Sequence, residues 1–177
     1  DIEAQNIFVT NINNVENFDI THTISERTRS FVKIQDGCDY NCTYCTIPNA
    51  RGKSRSASIS KTINKIHKII DSGINEIVLS GINVGDFGNN KENLFMLLKE
   101  IEKIQKLKRY KISSIEPNLL TNKIIRLLAA STKALPHLHI PLQAGSDKIL
   151  KHMKRRYNVK FYKNLIKNII KLIPNIC

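Results

Sequence analysis

The sequence predicts an α/β fold in which a parallel sheet is built from βα units and curves into an open or closed barrel. Two observations carry this. Short apolar runs that do not alternate recur along the chain, as strands buried on both faces require. Between them lie segments whose isoleucines and leucines repeat every three or four residues, as helices covering such a sheet require. A third observation agrees with them. The chemically distinctive residues Cys38, Gly81 to Asn83, Glu116 and Gln143 fall at the ends of strand runs, where parallel α/β sheets carry their sites.

The elements follow in order. Residues 1–24 are polar and Asn-rich, and read as a linker or the end of a domain outside this chain. From residue 25 the pattern is regular. "SFVKIQ" (30–35) alternates like a strand and leads into the cysteines. "SISKTINKIHKIIDSG" (58–73) puts Ile59, Ile63, Ile66, Ile69 and Ile70 on one helical face, stopped by Gly73. "EIVLSGIN" (76–83) is a buried strand, and "ENLFMLLKEIEKIQKL" (92–107) an amphipathic helix. "YKISSIEP" (110–117) is a strand ended by Pro117. "LTNKIIRLLAAS" (120–131) is a helix with Thr121 as N-cap. "HLHIPLQ" (137–143) is a fourth strand, and residues 147–155 and 160–173 are helical. About four parallel strands are expected over residues 25–177. The chain then ends in "PNIC" where a fifth strand would begin, so the barrel is expected to be unfinished and the chain a piece of something longer.

Composition narrows the class. The chain has 177 residues, enough for one domain with a core, with 41% hydrophobic and 24% charged residues. No apolar run has the length of a membrane span, and the first residues lack the basic and apolar regions of a signal peptide. A cytoplasmic setting, in which thiols hold metals or do chemistry, is expected. The net charge of +13 favours an anionic partner, nucleic acid first. A Lys-, Asn- and Ile-rich chain shaped by codon usage is the plain alternative.

Three of the four cysteines sit in "DGCDYNCTYCTIPNARG", as Cys38-x3-Cys42-x2-Cys45. A structural zinc site takes four protein ligands, and no local fourth ligand is present. A [4Fe-4S] cube also takes four thiolates as a rule, so three would leave one iron open to a substrate or cofactor. A zinc site and plain core cysteines remain alternatives. The Asp and Asn around the thiols suit a loop rather than a core.

Cys38-x3-Cys42-x-Tyr44-Cys45 resembles the radical S-adenosylmethionine (SAM) motif, with an aromatic just before the last cysteine. "DGCDYNCTYCTIPNARGKSRS" is similar to the signature of the radical SAM methylthiotransferases. "ERTRSFVKIQDGC", "EIVLSGINVGDFG", "ISSIEPNLL" and "HLHIPLQAGSDKILKHMKRRY" resemble the branch that modifies threonylcarbamoyladenosine in tRNA. The likeness covers about residues 25–177 and implies a partial (βα)6-type radical SAM barrel.

The resemblance also implies roles. Cys38, Cys42 and Cys45 would hold a [4Fe-4S] cluster whose open iron binds the methionine part of SAM. One electron then splits SAM into methionine and a deoxyadenosyl radical. That radical attacks an adenine C–H (C2) beside the anticodon, sulfur is inserted, and a second SAM methylates it. Tyr44 resembles the residue packed near the adenine of SAM; an ordinary loop aromatic is its alternative. Gly81 and Asn83 resemble the segment that meets the SAM amino group, although the Gly-Gly-Glu form of many relatives is absent. Glu116 would bond a ribose hydroxyl or the ammonium, or serve as a structural carboxylate. Gln143 and Ser146 would face cofactor or substrate, with a helix cap by Ser146 or Asp147 as the alternative. His137 and His139 face one side of their strand and read as structural, and His67 as exposed.

Two basic clusters follow strand ends: Arg51, Lys53 and Arg55, and Lys154, Arg155 and Arg156 with Lys148 and Lys151 before them. They are expected to meet the phosphates of a tRNA anticodon loop. Arg51 and Arg55 have the alternative of pairing with acids near the cysteines. The resemblance further implies a second [4Fe-4S] cluster on an N-terminal domain outside this chain, and an electron donor such as flavodoxin or ferredoxin. A sister enzyme acting on isopentenyladenosine in tRNA or on a ribosomal protein is one alternative. A catalytically incomplete RNA-binding fragment is another.

Overall fold

The computed structural model describes residues 11–15, 17–23, 28–88 and 91–177. Residues 1–10 of the expected linker, and residues 24–27 where linker gives way to domain, lie outside the described residues. The elements in order are β1 (Thr21–His22), β2 (Ser30–Lys33), β3 (Gln35–Asp36), α1 (Ile47–Arg51), β4 (Arg55–Ser56), α2 (Ile59–Asp71), β5 (Glu76–Ser80), α3 (Leu94–Glu102), β6 (Arg109–Ile112), α4 (Asn122–Ala130), α5 (Asp147–His152) and α6 (Val159–Leu172).

The main sheet runs β1-β2-β5-β6, with β2, β5 and β6 parallel and β1 antiparallel at the edge. The register sets Val32 opposite Leu79 and Leu79 opposite Ile112. These side chains and Ile77 and Tyr110 are buried, and Ile66 and Ile69 of α2, Leu97, Leu98 and Ile101 of α3, and Ile124 and Ile125 of α4 join the same core. Each such aliphatic contributes roughly 1.5–3 kcal/mol by leaving water. The expected helices therefore form for the expected reason, which is one apolar stripe per helix laid on a buried sheet. Side chains of Ser58, Asn93, Thr121 and Asn158 cap α2, α3, α4 and α6 by accepting a backbone N–H of the first turn, worth about 1 kcal/mol each. Gly73 ends α2 with φ +95°. Among the described residues no helix is long and apolar enough to cross a membrane.

The fold class read from the sequence holds, with one revision of detail. Residues 137–143 do not form a regular strand. The chain from Ala134 to His139 instead runs parallel to β6 and the residues after it, touching them through two isolated bridges, Tyr110 with Ala134 and Ser114 with His139. Pro136 and Pro141 have no N–H to donate, and this interrupts the ladder. On the other side of this segment Cys177 N donates to Pro136 O (2.8 Å) and Leu138 N donates to Cys177 O (2.9 Å), the bonding of a parallel bridge. The fourth strand of the regular sheet is instead β1, two residues within the stretch read as linker.

Candidate functional site

The short hairpin of β3 and β4 sets up the site. Gln35 pairs with Ser56 and Asp36 with Arg55, so the chain between them is a closed loop containing all three clustered cysteines. Gly37 turns the chain out of β3 at φ +70°; a Cβ there would lie 2.0 Å from Lys53 O, so only glycine fits. Cys38 N then donates to Gly52 O (3.0 Å) and narrows the loop's neck.

Asp36 is the latch. Its carboxylate meets Lys33 Nζ at 2.9 Å, Arg51 Nη2 at 3.0 Å and Arg55 Nη2 at 3.1 Å, and Arg51 Nε adds a bond to Oδ1. Burial alone would raise its pKa. The bonds from Lys33, Arg51 and the Gly37 N–H outweigh burial and hold the carboxyl below its ordinary value. Arg51 and Arg55 thus take the alternative read from the sequence, pairing with an acid beside the cysteines. Arg55 is largely covered, Arg51 keeps about half its side chain in solvent, and Lys53 is exposed.

Gln35 is a second anchor, invisible as such in the sequence. It is fully buried. Its Nε2 faces Asp36 O, Gly37 O and Ser54 Oγ, and its Oε1 accepts from Asn83 N at 2.9 Å. A Cβ on Gly81 would sit 3.0 Å from Gln35 O and from Gln35 Oε1, which accounts for the glycine. Through Gln35 the base of the cysteine loop and the turn after β5, which carries Gly81 and Asn83, become neighbours. The only sequence signal was a polar residue placed where an alternating strand points inward.

Three thiols occupy the loop, all free: Cys42 is buried, Cys38 and Cys45 half-buried. Burial pushes the Cys38 thiol up, and the nearby Asp86, Cys42 and Cys45 push it further. Among the described residues no three His, Cys, Asp or Glu side chains converge on a single metal ion. A polynuclear cluster, with one thiolate to each iron, fits this donor set; the charge of bound irons would also favour the thiolate form of each ligand.

The outer wall comes from more than a hundred residues later. Met153 O accepts from Thr43 N at 3.4 Å. Lys154 adopts φ +56° just after α5, and this turn aims Arg155 inward. Arg155 Nη1 donates to Cys42 Sγ and to Tyr44 Oη, each at 3.1 Å; Arg155 Nη2 bonds Glu116 Oε2, and Nε reaches Tyr157 Oη at 3.2 Å. Its side chain is 2% exposed and that of Glu116 15%. Burial disfavours the guanidinium charge, but Glu116 and Tyr157 overcome it and raise the pKa. Arg156 lies 3.7 Å over the Tyr40 ring and donates to Asp39 O. The expectation that Arg155 meets RNA is corrected here, because its guanidinium is spent on internal partners. Lys154 and Arg156 remain exposed.

The other expected residues also have definite places. Tyr44 is half-exposed at the rim. Glu116 lies four residues beyond β6, just before the turn at Pro117, with Oε1 left beyond its bond to Arg155. Asn83 is 4% exposed, and neither its Oδ1 nor its Nδ2 has a hydrogen-bond partner. Gln143 is exposed at φ +68°. Ser146 sits at the N-cap of α5 without a side-chain cap bond, and Asp147 Oδ1 instead accepts from Val159 N. His139 Nδ1 is 2.6 Å from Ser114 Oγ and His137 Nε2 is 3.4 Å from Lys111 Nζ, while His67 is exposed.

A largely parallel sheet covered by helices, with a three-thiol loop after its first parallel strand and a buried unpartnered amide on the turn after β5, defines an α/β domain of the kind that carries its site at strand ends. The chain belongs to the radical SAM superfamily, which it matches over residues 32–177. It is 39% identical over 155 residues to the threonylcarbamoyladenosine tRNA methylthiotransferase MtaB of Bacillus subtilis, covering 86% of this chain and 34% of that protein. It is 39% identical over 151 residues to the tRNA-2-methylthio-N(6)-dimethylallyladenosine synthase of Carboxydothermus hydrogenoformans, covering 84% and 34%. The likeness to the methylthiotransferases read from the motifs is therefore real, and the chain spans about a third of the length of the curated relatives it matches. Among solved structures it is similar to the radical SAM methyltransferase TsrM of Kitasatospora setae, at TM-score 0.66 and 14% identity, over 82% of this chain and 28% of that one.

Proposed function

We propose that residues 25–177 are the SAM-cleaving domain of a tRNA methylthiotransferase, with residues 1–24 as the approach to it. The observation that carries this is the latched loop, closed by the β3–β4 pairs, that holds the three free thiols Cys38, Cys42 and Cys45. A [4Fe-4S] cluster held there supplies the electron for reductive cleavage of SAM. The protein's own groups bind and orient. Asn83 offers a buried carbonyl and amide with no other partner. Glu116 Oε1 is available to a hydroxyl or ammonium, and Tyr44 lies beside them to cover a purine. The backbones of Gly81 and Gln143, and the uncommitted Ser146 hydroxyl, complete the cofactor wall. Lys53, Lys154 and Arg156, with the outer edge of Arg51, face an arriving RNA.

Within this reading the substrate is threonylcarbamoyladenosine beside the anticodon, methylthiolated at C2. The forms "ARGKSRS" and "SSIEPNLL" favour it. Dimethylallyladenosine is the second reading, favoured by the equal identity to its synthase. A second cluster and a soluble donor such as flavodoxin or ferredoxin belong to the same proposal, as does a cytoplasmic setting. The decisive experiment is anaerobic reconstitution with iron and sulfide, read by iron count, electron paramagnetic resonance and release of deoxyadenosine. About four irons per chain are expected. A wild type that takes up no iron, or a Cys38→Ala variant that takes up as much, overturns the proposal. Supplying each modified adenosine as substrate to the complete enzyme separates the two branches.

A further inference from the structure

Helix α6 does two things that its packing role does not require. Leu165 and Ile169 bury one side of it. Away from that side it carries Lys160, Lys163, Lys167 and Lys171, all exposed, and the helix has no acidic residue. At 100° per residue the four ammonium stems share an arc of about 80° and a length of about 16 Å. Among the described residues no carboxylate pairs with any of them, although Lys33, Lys103 and Lys106 do find carboxylates elsewhere.

Beside this stripe, between α4 and α6, runs a groove of about 440 Å³. Asn118, Asn122, Asn164 and Asn168 line it, together with Phe161, which is 43% exposed in the first turn of α6. Asn168 Nδ2 donates to Asn122 Oδ1 at 3.0 Å and ties the two walls together. Asn118 connects the groove to the site already described. Its Nδ2 donates to Tyr40 Oη in the cysteine loop at 2.7 Å, and its buried Oδ1 has no partner.

We propose that this groove and the α6 lysine stripe together bind single-stranded RNA leaving the cluster site, with one base in the groove and its backbone on the lysines. The proposal rests on the tRNA reading above and deepens it. The chemistry matches feature by feature. An asparagine amide can donate to and accept from a base edge at once. Unpaired bases stack on exposed aromatic rings, a sequence-tolerant contact. An acid-free row of lysines attracts phosphates and is neutralised by them. A solvated charged face would explain the lysines, but not an exposed phenylalanine between asparagines.

The test uses the cluster-loaded chain and two probes, a tRNA anticodon stem-loop and an unstructured oligouridine, with affinity followed by fluorescence anisotropy over a salt series. The Lys163→Gln/Lys167→Gln/Lys171→Gln variant is expected to bind both probes about tenfold more weakly at low salt. Its salt slope should be shallower by about 2, since each lost single-strand phosphate contact removes roughly 0.7. Phe161→Leu is expected to weaken binding roughly fivefold or more with an unchanged salt slope. Iron content, thermal unfolding and deoxyadenosine release should match the wild type in both, showing that fold and site survive. Removal of Lys61, Lys65 and Lys68 from α2, at the far end of the helix layer, is the charge-matched control. Equal loss in that control, or wild-type affinity in both α6 variants, overturns the proposal while leaving the tRNA reading in place. Loss of binding to an acidic flavoprotein donor but not to RNA also overturns it, making the face a donor dock. No RNA binding by the wild type removes both this proposal and the tRNA reading.

Discussion

Replacing Arg155 by methionine removes a guanidinium that bonds Cys42, Tyr44, Glu116 and Tyr157 together. The side chains of Arg155 and Glu116 are 2% and 15% exposed. Breaking a buried ion pair from one side costs roughly 3–5 kcal/mol, because the remaining charge has neither partner nor water. Glu116 keeps a little water, and methionine refills the space of the arginine stem, so about 3 kcal/mol is expected. Glu116→Gln leaves the guanidinium with its sulfur and two phenols, and about 1.5 kcal/mol is expected. Were the two side chains independent, the double variant would lose about 4.5 kcal/mol. Because each single change mainly strands the other residue, Arg155→Met/Glu116→Gln is expected to lose only about 2.5 kcal/mol, a coupling of about 2 kcal/mol. Urea unfolding of the metal-free chain, followed by circular dichroism, measures all four species. In a thermal scan the single Arg155→Met change should lower Tm by about 6–12 °C. Additivity within about 0.5 kcal/mol would refute the claim that the two form one buried unit.

Other outcomes follow from the same geometry. Gly37→Ala must place a methyl where Lys53 O stands, at a backbone angle alanine avoids, so a loss of at least about 2 kcal/mol and a sharp drop in iron uptake are expected; near-normal uptake by iron assay would contradict the reading of the neck. Asn83→Ala removes an amide that bonds nothing in the chain. Stability without cofactor should therefore stay within about 0.5 kcal/mol, while SAM affinity by calorimetry falls on the order of tenfold; unchanged affinity would exclude Asn83 from the cofactor wall. Tyr110 is wholly buried, and burial, then its bond to Glu102, raises its pKa far above the ordinary phenol value. A raised folded pKa means the stabilisation is complete below the unfolded pKa of about 10 and declines as pH rises past it. Tyr110→Phe should thus lose about 1 kcal/mol at neutral pH yet show a shallower decline above pH 10, and equal alkaline slopes in urea titrations would exclude Tyr110 as a source of that decline.

What could be read ahead of the structure was whatever repeats. The isoleucines of α2 and α6 and the leucines of α3 mark their helices because an apolar stripe must recur every three or four residues. Thr121 is legible as a cap because its role is local. The strands β3 and β4 are two residues each, too short for any period, yet their pairing closes the cysteine loop. The segment at 137–143 has the composition of a strand, and Pro141 within it and Pro136 just before it decide otherwise. In the run Lys154, Arg155, Arg156 the three cations look alike; the turn at Lys154 sends one into the interior and leaves two outside. Gln35 acts through Asn83, 48 positions away, Asn118 through Tyr40, 78 away, and Arg155 through Cys42, 113 away, and no local pattern encodes such distances. The cysteine motif was the exception, since its chemistry and its spacing lie within eight residues.

The latch at Asp36 bears on how a cluster would be acquired. Joining the ends of a flexible segment of some twenty residues costs roughly 2.5 kcal/mol in chain entropy, beyond a fixed constant. Here the β3–β4 pairs and three cations on one carboxylate meet that cost within the protein itself. In zinc-finger peptides the metal must organise the chain, and binding energy is consumed in folding. A cradle already closed leaves the full coordination energy for holding irons. The chain would then lose and regain its cluster as a folded object, with oxidation emptying the site and leaving the scaffold ready for repair.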